Sequence, residues 1–183
     1  MREEKTYFEY YDNIPYRDKL IRYFWFIIYI FLYRPFTMPI FNFWRITLLK
    51  IFGAEIGAGS IVHASAYIPA PWNLVLGSVS CIGPQVKLHF GKTVIGSKVT
   101  ISQRVYLCSA SHEISSLNTP FISGIITIED YVWVAAEAFI MMNVLIGEGA
   151  VVGARSAVFK NVEPWTVVGG NPAKFLKHRS INE

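Results

Sequence analysis

Cysteine is scarce in this 183-residue chain: Cys81 and Cys108 are the only two, and they form no C-x-x-C spacing. A disulfide scaffold and a thioredoxin-type redox motif are thereby excluded, and reduced thiols are expected. Metal-ligand patterns are lacking as well. None of the four histidines, His63, His89, His112 and His178, pairs with another at ligand spacing, so no metal site is expected. No G-x-S-x-G elbow, Walker loop or dinucleotide fingerprint occurs, which removes three common routes to hydrolytic, nucleotide-driven and NAD-dependent chemistry. Charged residues make up 16% of the chain, and the net charge of +4 is no nucleic-acid signature.

A long hydrophobic run is missing too. Residues 23–33 carry no charge, but eleven residues fall short of the roughly 18 to 25 that span a bilayer as a helix. Extending the run to residue 44 would place Arg34, Pro35 and Pro39 inside the span, and the Arg alone costs about 2.5 kcal/mol or more. A secretory signal is excluded by Glu3, Glu4, Glu9, Asp12 and Asp18 ahead of the run and by the absence of a small-residue cleavage site after it.

Aromatic residues are sparse over most of the chain and dense at one end. Of the 28 Phe, Trp and Tyr, 16 lie in residues 1–50 and 12 in the other 133. Basic charge follows the aromatics: residues 15–50 hold six Lys and Arg against Asp18, whereas residues 51–183 are nearly neutral. Two readings of the N-terminal segment follow. It is a helical cap whose rings are ordinary core, or an interfacial segment with Trp25, Tyr29, Tyr33 and Trp44 at headgroup level and Arg17, Lys19, Arg22, Arg34, Arg45 and Lys50 facing acidic lipid.

From Ile56 onward an aliphatic residue recurs every six positions: Ile56, Val62, Ile68 and Leu74, then Ile82 and Leu88, then Ile95, Ile101 and Leu107. The longest series is Ile128, Val134, Ile140, Ile146, Val152 and Val158. An amphipathic helix repeats near 3.6 and a free strand at 2, so period six fits a short strand and a corner repeated, which is a parallel β-helix. The aliphatic residue points inward, the next residue, often Gly, is expected to take the bend, and a small or β-branched residue four positions on fills the interior. Insertions are expected after Leu74 and Leu88. Between Leu107 and Ile128 a loop leaves the β-helix over about residues 108–125, and function concentrates on such loops. His112 opens it, and a histidine titrating near neutrality is a candidate general base.

The repeat, the CSASHE loop, the YVWVAAEAFI unit and the tail from IGEGAVVGARSAVFKN through GNPAK resemble the left-handed β-helix, hexapeptide-repeat acyltransferases. PWNL at residues 71–74 and the N-terminal WRITLLKIFGAEIG are similar to the colanic-acid and exopolysaccharide O-acetyltransferases within that superfamily. The resemblance implies a mainly β fold: a left-handed parallel β-helix over residues 51–165, an aromatic helical segment over 1–50, and a C-terminal cap over 166–183 formed by a short helix or tail. It implies a homotrimer with active sites between subunits, in which acetyl-CoA donates an acetyl group directly to a sugar hydroxyl of a bacterial surface-glycan precursor. His112 would be the base. Trp133 would wall the acetyl pocket, and Ala136, Ala154, Lys160 and Lys174 would meet the cofactor, the lysines opposite its phosphates. Glu113, where many relatives carry Asp, is a weak candidate for acceptor binding. A cytoplasmic location follows, peripheral on the membrane if the N-terminal segment docks there. Phe159, Asn161 and the Met141-Met142-Asn143 corner depart from the family pattern, and Phe159 points to an altered donor pocket. Alternative readings are N-acetylation of an amino sugar, a xenobiotic acetyltransferase, and a non-catalytic scaffold that binds no CoA.

Overall fold

A computed structural model describes residues 16–181; Glu3, Glu4, Glu9 and Asp12 lie outside the described residues. From Glu55 the chain winds through short parallel strands stacked in three walls. The first wall runs Glu55–Ile56, Leu74–Leu76, Lys92–Ile95, Ile125–Ile128 and Leu145–Ile146. The second runs Ile61–Val62, Cys81–Ile82, Thr100–Ile101, Trp133–Val134, Val151–Val152 and Thr166–Gly169. The third runs Lys87–Leu88, Tyr106–Cys108, Phe139–Met141 and Ala157–Val158.

Register explains why six residues is the repeat. Ile56, Leu76, Ile95, Ile128 and Ile146 pair in one column, and Val62, Ile82, Ile101, Val134, Val152 and Val168 in a second. Leu88, Leu107, Ile140 and Val158 form a third. All are buried, so three columns of branched aliphatics make the core of the prism.

Two details of the expected repeat are corrected. Leu74 and Leu76 are both buried, but the residue that continues the inward column is Leu76, not Leu74, because Leu76 is the one in register with Ile56 and Ile95. The two-residue insertion therefore precedes the strand, in the 3-10 turn Pro71–Asn73, and the small interior residue is the buried Ser80 rather than Ser78. Nor does the bend fall directly after the aliphatic residue. The left-handed conformation comes three positions after it, at Val79, Gln85, Lys98, Arg104, Tyr131, Glu137, Asn143, Arg155 and Trp165. Glycine next to the aliphatic serves close stacking instead: a Cβ on Gly77 would come within 2.6 Å of the Gly96 carbonyl oxygen and the Ser97 nitrogen in the coil above.

The N-terminal segment forms α1 (Tyr16–Ile28), a π-helical turn Tyr29–Tyr33, a 3-10 turn Pro39–Phe41 and α2 (Asn42–Ile51). It closes the open end of the prism, where the first coil has no preceding coil to accept donors from. Trp25 Nε1 donates to the Ile68 carbonyl at 2.7 Å, Tyr29 Oη to Ala66 at 3.2 Å, Tyr33 Oη to His63 at 3.4 Å and Asn42 Nδ2 to Ser60 at 3.0 Å. Buried Arg45 donates Nε to Val62 at 3.1 Å and Nη1 to the carbonyls of both Phe36 and Met38. Side-chain donors thus satisfy a sheet edge that would otherwise template aggregation. The lipid-facing set read from the sequence is accordingly revised: Trp25, Tyr29, Tyr33 and Arg45 are buried, and Trp44 Nε1 donates to Leu32. At the other end, Lys174–His178 pairs antiparallel with Thr166–Gly169, so the cap is a β-hairpin where a short helix or tail was expected.

Candidate active site

The 108–125 excursion is an ordered antiparallel hairpin. Ala110–His112 pairs with Phe121–Ser123, with Phe121 opposite His112. It projects from the corner between the third and first walls because the chain must leave Tyr106–Cys108 and re-enter at Ile125–Ile128. At its base the Gly124 amide donates to the Ser109 carbonyl at 2.9 Å. The Asn143 side chain accepts from the Ile125 amide at 3.3 Å, while Asn143 itself takes the left-handed corner. Asn161 repeats that device one coil on, accepting from the Leu145 amide at 2.9 Å, so neither departure from the family pattern leaves a corner unsupported.

His112 is exposed near the hairpin tip, and its Nδ1 lies 2.7 Å from the carbonyl oxygen of Thr119. A carbonyl only accepts, so Nδ1 carries the hydrogen and the neutral ring keeps its lone pair on Nε2. Glu113 does something else. Its carboxylate accepts from the Ser115 amide at 2.9 Å and the Ser115 hydroxyl at 2.8 Å, and these bonds hold its pKa below the usual carboxylate value. Both bonds converge on Oε1, which is engaged in the turn.

The Phe121 ring, 6.0 Å from the His112 ring, is also one side of a cavity of about 440 Å³. Asp18 and Arg22 of α1, Asn73, Lys92 and Ser123 line the rest. Arg22 lies over the Phe90 ring at 4.2 Å, and Asn73 Nδ2 donates to the Phe90 carbonyl at 2.6 Å. No sequence motif marks these lining residues, because Asp18, Asn73 and Lys92 come from three separated segments; the break in the repeat at PWNL is the one signal near them. Gly91 is unmarked as well. A Cβ there would collide with the Ser109 carbonyl oxygen and come within 2.5 Å of that of Gly124, so only glycine lets the hairpin base seat. Beside it, His89 packs among Phe90, Tyr106 and Phe121, and burial, then the charges of Arg22 and His112, push its pKa down.

The other expected site residues fall into three further places. Lys160, Lys174 and Phe159 line one cleft of about 400 Å³ at the C-terminal end. Phe159 is exposed there and tilts against Phe139 at 5.9 Å. Ala136 and Ala154 stack at the corner between the second and third walls, where the Arg155 amide donates to the Ala136 carbonyl at 2.9 Å. Trp133 stands half exposed on the second wall, with Nε1 donating to Ser102 Oγ at 3.0 Å. One chain therefore does not bring Trp133 to His112, which projects from a different corner. Among the described residues no group of three His, Cys, Asp or Glu side chains could hold a metal ion.

No protein-family model matches the chain. It is 40% identical over 141 residues to a protein of Escherichia coli (strain K12) provisionally named colanic acid biosynthesis acetyltransferase WcaF, covering 76% of this chain and 78% of that one. In fold it resembles a hexapeptide-repeat-containing acetyltransferase of Vibrio cholerae O1 biovar eltor solved in complex with acetyl-CoA, with a TM-score of 0.81 at 23% identity over 95% of each chain. A galactoside acetyltransferase solved in complex with coenzyme A gives a TM-score of 0.83 at 22% identity, covering 93% of this chain and 86% of that one.

Proposed function

The chain belongs to the hexapeptide-repeat acetyltransferases, alongside their colanic-acid and exopolysaccharide branch, and on that premise we propose that it moves an acetyl group from acetyl-CoA to a sugar hydroxyl of a bacterial surface-glycan precursor. The observation that carries the reading is the bond between His112 Nδ1 and the Thr119 carbonyl, which leaves the Nε2 lone pair as a base on a ring that packs against Phe121, one wall of a polar cavity. Nε2 takes the proton of the acceptor hydroxyl as its oxygen bonds to the thioester carbonyl carbon. As the carbon–sulfur bond breaks, the imidazolium returns that proton to the departing sulfur. Transfer is direct, with no acyl-enzyme.

The residues at the C-terminal cleft fit the donor: Lys160 and Lys174 present two ammonium groups to its phosphates, and Phe159 gives an apolar wall. Ala136 and Ala154 offer small side chains and backbone groups along the corner between. Placement of Trp133 on another wall is consistent with a homotrimer in which Trp133 of the partner subunit completes the site at His112. Acetyl-CoA is a cytoplasmic metabolite, so the reaction is assigned to that side of the membrane, with residues 15–50 making a peripheral contact. Ser115 takes only Oε1 of Glu113, so Oε2 remains to accept from an acceptor hydroxyl, the weak role the resemblance gives this residue.

The test is His112→Ala in the full chain with acetyl-CoA and a glycan acceptor. We expect a loss of about 10²- to 10⁴-fold in turnover with CoA binding retained by calorimetry. Turnover at the native rate would overturn the mechanism, and absence of CoA binding in the unaltered protein would favour the scaffold reading.

A further inference from the structure

α1 is apolar on its outward side as well as where it meets the core. Its inward side carries Trp25 into the core and places Asp18 and Arg22 in the cavity beside Phe121. Its outward side carries Tyr16, Leu20, Tyr23, Phe24 and Ile27, and the π-helical turn continues the row with Phe31. These positions recur at helical spacing on one face, and Tyr16, Tyr23 and Phe31 are each at least 67% exposed. Met38, Ile40 and Phe43 extend the apolar surface beyond the turn, at 61%, 70% and 67% exposure. A continuous apolar face of this kind marks a contact surface, not a solvated one.

Charge indicates what the surface meets. Arg17, Lys19, Arg34 and Lys50 are exposed around it, whereas Asp18, the only acidic residue between positions 16 and 50, is turned toward the cavity. Apolar side chains edged by cations suit the acyl and headgroup zone of an anionic bilayer. A partner protein or a second copy of this chain would need acidic complements, and the β-helix is nearly neutral. Among the described residues no helix is long and apolar enough to cross a membrane, so the fit is to a segment lying in the interface plane.

We infer that the outward face of α1 and its π-helical extension docks on an anionic lipid surface, and that the acceptor is a lipid-linked glycan presented there. The second half rests on the acetyltransferase reading. It follows from a single element having two sides: the helix that would lie on the bilayer also lines the cavity walled by Phe121, the residue that faces His112 across the hairpin. A sugar carried on a membrane lipid would reach that cavity without leaving the surface.

The experiment is sedimentation of the full chain with vesicles of phosphatidylglycerol and phosphatidylcholine, compared with pure phosphatidylcholine. Binding to the anionic vesicles alone, weakened by 0.5 M salt, is expected. Leu20→Ser with Phe31→Ser should lower partitioning about tenfold, with unchanged CoA affinity, oligomeric state and acetylation of a water-soluble sugar acceptor. Arg17→Gln with Arg34→Gln, which leaves the packing intact, should weaken binding in the same direction. Absence of vesicle binding, or binding indifferent to both variants, would overturn the docking surface. If the serine variant changes the oligomeric state instead, the face is a contact between copies and the proposal fails. Vesicle binding without acetyl transfer to any acceptor would leave the docking surface standing and overturn the acetyltransferase reading, so the two failures are distinguishable.

Discussion

The Nδ1 of His112 is hydrogen bonded to the backbone carbonyl of Thr119 at 2.7 Å, across the turn of its own hairpin. A main-chain acceptor fixes the tautomer without any third side chain, in contrast to a triad in which a carboxylate does so. The Thr119 side chain is exposed, and its backbone sits at a φ of 41°. Thr119→Gly preserves the carbonyl and suits that φ, so turnover should remain within about twofold. Thr119→Pro cannot adopt it and also loses the amide bond to Ser116, so turnover should fall about tenfold or more with CoA affinity intact. Steady-state kinetics on the two variants checks the pair.

Gly91 should be intolerant for a steric reason alone. The Cβ of Gly91→Ala meets the Ser109 and Gly124 carbonyl oxygens at the hairpin base, both backbone atoms, so the hairpin itself must shift. A displacement near 1 Å at a catalytic group costs about a hundredfold. We expect kcat to drop by one to two orders of magnitude, with acetyl-CoA KM changed much less.

Lys160 and Lys174 should act on the donor and not on stability. Both are exposed on the C-terminal cleft. Replacing either with Ala should raise KM for acetyl-CoA about fivefold at low salt, with a smaller effect at high salt as screening takes over. Thermal unfolding should be unaltered, which separates loss of a phosphate contact from loss of fold.

How far the sequence already contained these features varies with the physics behind each. The period of six was legible because inward positions admit only branched aliphatics, and Ile56, Ile95, Ile128 and Ile146 keep register over the wall. At Leu74 the phase is not legible, because Leu74 is buried too and hydrophobicity alone does not choose between it and Leu76. Corners were misplaced for a similar reason. Left-handed residues here are mostly Lys, Arg, Gln, Glu and Tyr, types that carry no turn signature, whereas glycine drew attention to the neighbouring position. His112 was evident from its place on an excursion, but its acceptor Thr119 was not, since a backbone carbonyl has no sequence signal. For Trp25 and Arg45 composition leaves both a core and a lipid-facing placement open, and the carbonyls of the first coil that accept from them explain why they turn inward.

His89 gives a pH dependence with a definite sign. Its folded-state pKa is lowered from an ordinary value of about 6.5, first by burial and then by the charges of Arg22 and His112. Below that value the unfolded chain binds a proton that the folded chain resists, so stability is full above about pH 7 and declines as pH falls through 6.5. The decline ends once the folded state also takes the proton. His89→Phe, placed among Phe90, Tyr106 and Phe121, has no such proton to gain. Calorimetric Tm should fall less in this variant than in the native chain between pH 7 and pH 5.

The closed end of the prism should carry a measurable part of its stability. Trp25→Phe keeps a large ring but removes the donor to Ile68, leaving a buried carbonyl unpaired at a cost of about 1 to 3 kcal/mol. Arg45→Met retains bulk and loses the donors to Val62, Phe36 and Met38 together, so about 3 kcal/mol or more is expected. Denaturant titration measures both. Since the inner side of α1 also carries Asp18 and Arg22 into the cavity walled by Phe121, partial detachment of the cap should raise the acceptor KM before unfolding, whereas acetyl-CoA KM should stay constant if the proposed donor cleft at the C-terminal end holds the cofactor. A loss confined to the donor would contradict this assignment of the two ends.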